Sequence, residues 1–298
     1  MDRIESMRVF TRVYERRSFS QAAKDLNLPR STVTDAIKQI EKHLSVRLLE
    51  RTTRQVTPTL DGEAYYQRCL SLLADFEDME NYFSGLQPKG SLRVDVHGTL
   101  GRHFVLPRLP EFLTAYPDIQ LYLSEDDKLV DLVSEGIDCV LRVGTPKSEY
   151  LIAKQIALLE EITVAAPGYL AQFGHPENVE ELVHHQTVAF QSSSANEPLP
   201  MEFTVGRNVV SKTLKSSMKV NSAETLVAAC RLGLGIIQVP RYHIEQDLVK
   251  GRLVTLLDDY PPPSSPVHIL YPPHRSHSAR VRIFTEWLQN VFRSEIKV

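Results

Sequence analysis

Apolar positions at the start of the chain recur every three to four residues. Ile4, Met7, Phe10 and Val13, with Val9 and Tyr14 beside them, form one stripe and predict a helix with a single buried face. Ser20 stands where an N-cap belongs before a short second helix, Gln21 to Leu26, whose Ala22 and Ala23 permit close packing. Asn27-Leu28-Pro29 interrupts the pattern. A third helix is expected from Arg30, with Val33, Ile37, Ile40 and Leu44 on one face and Arg30, Ser31, Thr34, Asp35, Lys38 and Lys42 on the other. Two helices joined by a tight turn, the second apolar below and rich in donors above, describe a helix-turn-helix. Such a helix must pack on one side while its other side meets base edges and phosphates. Ser20, Gln21, Arg30, Ser31, Thr32, Thr34, Asp35 and Lys38 are the side chains expected to do so. Asp35 is the least expected of them, because phosphates repel a carboxylate unless it accepts from a cytosine amino group or orients an arginine. A polar helix face can also be merely solvated, so the neighbouring segment matters.

That segment, "RLLERTTRQVTPTLDG", interleaves Arg47, Arg51 and Arg54 with Thr52, Thr53, Thr57 and Thr59 in strand-prone sequence. This is the composition of a basic β-wing lying along a nucleic-acid backbone, with Arg51, Thr53 and Arg54 as its contacts. Beyond Gly62 the pattern returns to helix. Tyr65, Cys69, Leu72, Phe76, Met79 and Phe83 alternate at spacings of four and three, as a narrow coiled-coil seam requires, and Leu86 continues it. The seam can be filled by the chain's own domain or by the same helix of a second chain; the unbroken length of the helix favours the second, a dimer. Gln87-Pro88-Lys89-Gly90 ends the helix as a hinge.

The remainder alternates between periods of two and 3.6. "SLRVDVHG", "IQLYLSE" and "IDCVLRVG" read as strands, "RHFVLPRLPEFLTAYP" as a helical segment interrupted by Pro107 and Pro110, and "KLVDLVSEG" as a helix. A second set begins near Ile162 and contains "TVAF", "MEFTV", "SMKVN", the helix "SAETLVAACRLGLG" and the strand "IIQVP"; "VHILYPP" and "SARVRIFTEWLQNVF" then give a returning strand and helix. The predicted class is α+β and multidomain: a winged helix-turn-helix at 1–59, a linker helix at 60–88, and a two-lobed α/β body at 89–298. Lobe one covers about 89–161 and 266–298, and lobe two about 162–265.

Charge sharpens this division. The chain has 298 residues and a formal charge of -3, but residues 1–62 hold 12 Lys and Arg against 8 Asp and Glu. A cationic head on an anionic body implies a polyanion partner at the head. With the helix-turn-helix pattern, double-stranded DNA is the expected partner. The N-terminus lacks the apolar core of a signal peptide, and no apolar run approaches a membrane span, so a cytoplasmic protein without a membrane partner is expected. Cys69, Cys139 and Cys230 are widely spaced in apolar surroundings, which argues against disulfides or a zinc knuckle.

The head also resembles a known family, the LysR-type transcriptional regulators. Ala22-Ala23, the run from Ile37 to Leu44 ("IxxIExxL"), "LLERTTR" from Leu48 and "TPTLDG" from Thr57 carry the likeness. Pro29 departs from it, since many members cap there with Ser or Thr, and so does Asp35, where arginine is frequent. "LPRLPEFLTAYPDIQLYL", "DLVSEGIDCVLRVG", "RLGLGIIQVP" and "ILYPPHRSHSARVRIFTEWL" extend the resemblance through the body, toward the CrgA-like branch. The resemblance implies a type II periplasmic-binding-protein fold with a small-molecule cleft, linker helices paired in a homodimer, and assembly to a tetramer. It also implies binding to an interrupted inverted repeat in promoters, with RNA polymerase as a candidate partner. Thr99, Gly101, Asn221 and Ser222 match family positions near the cleft, with Leu100 between the first two as a further candidate contact, and Arg102, His103 and Arg142 are candidates to balance a carboxylate, so an anionic metabolite is expected. Asp126 lies in the acidic run after a strand, most simply a loop, and is a candidate contact for a cationic or hydroxylated ligand.

Enzyme readings find little support: GxSxG, Walker A and HExxH patterns do not occur. His184-His185 and His274-Arg275-Ser276-His277 lack acidic or cysteine companions at metal-site spacing, and no cofactor is expected. A solute-binding protein without a DNA role is the alternative, but it would have no use for residues 1–62.

Overall fold

The structure is a computed structural model that describes residues 1–51, 56–84, 87–125, 132, 136–146, 148, 150–192 and 197–296. Of Arg51, Glu77, Asp78, Asn81 to Ser84, His274 and His277 it describes the backbone alone. The head consists of α1 (Arg3–Arg16), α2 (Phe19–Asp25), α3 (Arg30–Leu44), the antiparallel pair β1 (Leu49–Arg51) and β2 (Val56–Pro58), and the start of α4 (Leu60–Ser84). Phe10, Val13, Ala22, Val33, Ile37 and Leu48 are buried at its centre.

Ser18, rather than Ser20, caps α2, accepting a hydrogen bond from the Gln21 amide at 3.3 Å. The helix starts early because the Phe19 side chain is drawn into the core. Ser20 is thereby an exposed residue of the first turn. The buried face of α3 is Val33, Ala36, Ile37 and Ile40. Leu44 is exposed, because the helix ends there and Ser45 turns into the left-handed region at φ 57°.

The "TPTLDG" motif is a joint with three fastenings. Thr59 accepts from the Gly62 amide at 2.9 Å and donates to the Arg47 carbonyl at 2.7 Å, capping α4 against the chain entering the wing. Glu41 on α3 accepts from the Leu48 and Leu49 amides at 3.0 and 3.2 Å. Gly62 lies so close to the wing that a Cβ would stand 2.0 Å from the Leu48 carbonyl oxygen, so only glycine fits.

The body opens with β3 (Gly90–Val96), followed by an unbroken helical run: α5 (Gly98–Leu100), a π-helical turn (Gly101–Val105) and α6 (Leu106–Ala115). The prolines expected to interrupt this run do not. Pro107 falls in the first turn of α6, where a missing amide donor is tolerated, and Pro110 lies within the helix. Next come β4 (Ile119–Glu125), β5 (Cys139–Val143) and β6 (Ile152–Leu159). The expected helix "KLVDLVSEG" lies largely outside the described residues. The chain then builds β7 (Glu161–Ala165), α7 (Pro167–Phe173), β8 (Gln186–Phe190), the hairpin of β9 (Met201–Val205) and β10 (Asn208–Lys212), β11 (Lys215–Val220), α8 (Ala223–Arg231), β12 (Ile237–Pro240), α9 (Glu245–Val249) and β13 (Val254–Leu256). It returns through β14 (Ser265–Tyr271) and α10 (Ala279–Glu295).

The first sheet has the order β4-β3-β5-β14-β6, with β3 parallel to β4 and β5 and with β14 antiparallel between β5 and β6. Val281, Phe284, Leu288 and Phe292 of α10 pack with Leu92, Leu141 and Ile269 in its core. The second unit holds β12-β7-β13 and the parallel pair β11-β8, linked by a bridge between Thr187 and Ile236. Because β14 is the middle partner of β5 and β6, the first sheet is completed only after the second unit has been built.

Candidate DNA-reading face and effector cavity

On the head, the buried stripe of α3 fixes which side chains face outward. Arg30, Ser31, Asp35 and Lys38 are exposed, Thr32 and Thr34 half-buried, and Gln21 stands exposed on α2 beside Ser20. The Thr34 hydroxyl donates back to the Arg30 carbonyl at 2.9 Å. Pro29 occupies the N-cap of α3 with no side-chain hydrogen bond, so the first amides of that helix have no side-chain cap from it. The Arg51 backbone ends β1, while its side chain and all of Thr53 and Arg54 lie outside the described residues.

The seam residues divide along α4. Tyr65 and Cys69 belong to the head: Cys69 is buried in its core, and Tyr65 meets Phe10 edge-on at 5.0 Å. Burial pushes the Cys69 thiol up to about 12. The Tyr14 ring stacks on Tyr66 at 3.8 Å, and its hydroxyl donates to Glu63. The heptad spacing is therefore satisfied inside the chain over its first turns. Further along, Leu72 and Met79 are 50% and 54% exposed, Phe76 is half-buried, and the Phe83 side chain lies outside the described residues.

A second contact of α4 was not anticipated. Arg275, 2% exposed, reaches from the turn after β14 to Asp75 and Ser71 of α4 and to Asp138 at 3.1 Å. Asp138 also accepts from the Arg93 amide at 2.8 Å, and the Arg93 guanidinium donates to Gln67 of α4 at 2.8 Å. The linker helix is thus fastened to its own body by charge-assisted hydrogen bonds. The "HRSH" run carries its chemistry in the arginine. Among the described residues, no group of three or more His, Cys, Asp and Glu side chains is placed to hold a metal ion.

Between the first sheet and the second unit lies a cavity of about 510 Å³, within the roughly 300–1,000 Å³ typical of small-molecule sites. Val140, Arg142, Ser265 and Leu270 line it from the first sheet, and Glu161, Val188, Phe190, Met201, Leu226, Gln238, Tyr242 and His243 from the second unit. Most of the residues expected at the ligand are not on its wall. Thr99 is buried behind it, its hydroxyl 2.9 Å from the Tyr242 hydroxyl and 3.0 Å from His97 Nδ1. Leu100 is in the core, and a Cβ on Gly101 would fall 2.7 Å from Val96. Ser222 is the N-cap of α8, and Asn221 before it is exposed. Asp126 lies outside the described residues.

Arg142 does line the cavity, but its guanidinium meets the Asp95 carboxylate at 2.5 Å, where Ser124 also donates. Arg102 bonds Glu125 at the end of β4 and Glu224 of α8 at 3.0 Å, so it ties the two units together. Both guanidiniums expected to balance a carboxylate ligand are thus already matched by carboxylates. The residues not anticipated from sequence are Tyr242, His243 and Glu161. Burial pushes Glu161 up to about 7 against a hydrogen bond from Ser265. Burial, aided by His103, His97 and Arg102, holds His243 down to about 3.

A winged helix-turn-helix, a long connecting helix and a two-unit α/β body around a small-molecule-sized cavity define a one-component DNA-binding regulator. The comparisons with known proteins give the family. Residues 4–63 match the model of bacterial regulatory helix-turn-helix proteins of the lysR family, and residues 85–293 match the LysR substrate binding domain. The chain is 35% identical to the HTH-type transcriptional regulator YhjC of Escherichia coli over 98% of this chain and 99% of that one. It is 34% identical to an HTH-type transcriptional repressor of Pseudomonas aeruginosa, over 98% and 93%. The structure of CrgA, a LysR-type transcriptional regulator from Neisseria meningitidis, superposes with a TM-score of 0.60 at 28% identity, covering 97% of this chain and 98% of that one. The chain belongs to the LysR family of transcriptional regulators. Proteins of this family bind DNA and small-molecule effectors and oligomerise, and they are generally not enzymes. Among the described residues, no helix is long and apolar enough to cross a membrane.

Proposed function

We propose that this regulator acts in the cytoplasm as a homodimer, pairing further to a tetramer, that reads an interrupted inverted repeat in promoters and answers to a metabolite held between its lobes. The observation that carries the reading is the outward face of α3, which presents Arg30, Ser31, Asp35 and Lys38 above a fully buried stripe. Arg30, Ser31, Thr32, Thr34 and Lys38 contact bases and phosphates, Ser20 and Gln21 bind from α2, and Arg51, Thr53 and Arg54 follow the backbone. Asp35 selects by accepting from cytosine or by orienting an arginine. The domains run 1–59, 60–88 and 89–298. Leu72, Phe76, Met79 and Phe83 form the pairing seam, and RNA polymerase is the partner through which activation would operate. The protein performs no catalysis.

The cavity is the effector site, and Thr99 acts through Tyr242 rather than by direct contact. The experiment is recovery and sequencing of genomic fragments that remain on the purified protein. A few intergenic fragments sharing an interrupted inverted repeat support the reading, and a steep fall of affinity with salt accompanies the phosphate contacts. No enrichment at low salt by folded dimer overturns it.

A further inference from the structure

Charge at the cavity is distributed in a way that bears on its occupant. Arg142, Glu161 and Glu202 are the Asp, Glu, Lys and Arg side chains on its described wall. Arg142 is matched from behind by Asp95, and Glu202 is exposed on β9. Glu161 differs from both. It stands half-buried at the start of β7, and the influences on its carboxyl are burial and one hydrogen bond from Ser265, with no cation among the described residues. The nearby His243 is held in its neutral form by burial. Around these groups the wall is largely apolar, with Val140, Val188, Leu226 and Leu270, and Thr187, Ser192 and Gln238 add uncharged polar groups.

We propose that the effector is a small organic amine, one positive charge on a largely apolar body, with the Glu161 carboxylate as its counter-charge; this rests on reading the cavity as the effector site. A carboxylate kept out of water without a cationic partner is costly, and the cost appears as its raised pKa. A bound ammonium removes that cost and returns Glu161 to its ionised form. A carboxylate effector would meet Glu161 as a like charge unless Glu161 first took up a proton, and its natural partner Arg142 is already committed to Asp95. Such an anion would find no unmatched arginine or lysine on the described wall.

The test uses the full-length protein and a panel of one- and two-ring primary and secondary amines, each with its isosteric alcohol and carboxylate. Thermal shift and calorimetry read binding, and affinity for the enriched genomic fragments is measured on the same preparations. Amines are expected to bind in preference to their isosteres, and Glu161→Gln to weaken them by roughly 10- to 100-fold, the worth of a charge-assisted hydrogen bond. Glu161→Gln should retain its fold, read from its melting transition without ligand. Binding led by carboxylates or alcohols, binding of nothing in the panel, or an unchanged amine affinity in Glu161→Gln overturns the proposal. If Glu161→Gln does not fold, the wild-type ranking of the three classes decides. Protein that binds its DNA fragments but ignores amines loses this inference and keeps the regulator reading. Protein that binds amines but no DNA does the reverse.

Discussion

Two arginines of this chain each join separate parts of it through two carboxylates, and they illustrate how burial changes the value of the same chemistry. Arg275 is 2% exposed and links the body to Asp75 and Asp138; Arg102 is 44% exposed and links the two units of the body through Glu125 and Glu224. In water the Coulomb gain of an exposed pair nearly cancels against ordering and screening, to about 0–1 kcal/mol. Away from water, a pair stabilises little relative to an apolar substitute, yet removing one partner alone strands the other, at about 3–5 kcal/mol. The joint between linker helix and body is therefore stiff, and the joint between lobes is adjustable. A regulator needs both properties, because an effector can shift the lobes only if their resting contacts are weak, and the shift reaches the DNA heads only if the linker follows the body.

The largest expected effect follows at the stiff joint. Arg275→Ala leaves Asp138 buried without its guanidinium, and about 3–5 kcal/mol of stability should be lost. Denaturant unfolding followed by a probe in the body measures this, with limited proteolysis of α4 as a second readout, since a released linker becomes accessible. A loss no greater than that of an exposed pair would break the contrast. The cavity wall adjoins this joint: Leu270 and Val140 are register partners in β14 and β5, and Asp138 and Arg275 lie two and five residues away from them.

Much of this arrangement was legible in the sequence, and the exceptions share a cause. The head could be read because its constraints are local. The stripe of α3 depends on neighbours within a few residues, whereas the cap at Thr59 and the close fit of Gly62 against Leu48 emerge only from the structure. Ser20 misled because the burial of Phe19, a tertiary effect, moved the cap to Ser18. Tyr65 and Cys69 fit a seam by spacing alone, but spacing does not say which partner fills it, and α1 of the same chain does. The ligand site was least legible. Asp95 lies 47 residues from Arg142, Glu224 lies 122 from Arg102, and Thr99 lies 143 from Tyr242, so no window of sequence contains both members of any pair. Arg102 and Arg142 looked available only because their carboxylates were out of view.

A smaller effect sharpens the comparison at the adjustable joint through pH. His243 is held down to about 3 from the usual 6.5, so between those values the unfolded chain binds a proton that the folded site refuses. Its contribution to stability is present above pH 6.5 and lost as pH falls toward 3. Glu161, pushed up to about 7 from 4.5, has the opposite sign: its contribution is present below 4.5 and lost as pH rises through 7. The two oppose each other between pH 4.5 and 6.5. Relative to wild type, Glu161→Gln should therefore tilt the melting temperature toward a rise with pH across that window, and His243→Gln should tilt it toward a decline. Parallel profiles for wild type and both variants would place these groups in contact with water and remove the distinction between the joint's buried floor and its exposed latch.

The smallest change in stability is expected at the latch itself, where its consequence for signalling is the informative quantity. Arg102→Ala should cost about 0–1 kcal/mol, less still in high salt, because all three partners are well exposed. Glu125 and Glu224 come from opposite units, so the substitution removes one of the bonds spanning them while leaving the Thr99–Tyr242 contact in place. If the latch favours the resting arrangement, its loss shifts the lobes toward the state that the effector selects, by no more than the latch was worth. The DNA-binding profile of Arg102→Ala without effector should then move part of the way toward that of the wild type with effector, and Glu224→Gln should move it in the same direction. A stability loss rivalling that of Arg275→Ala would show that the lobe joint is as dry as the linker joint. An unaltered response to effector in both variants would assign the latch no part in setting the resting state and leave that role to the contacts beneath it.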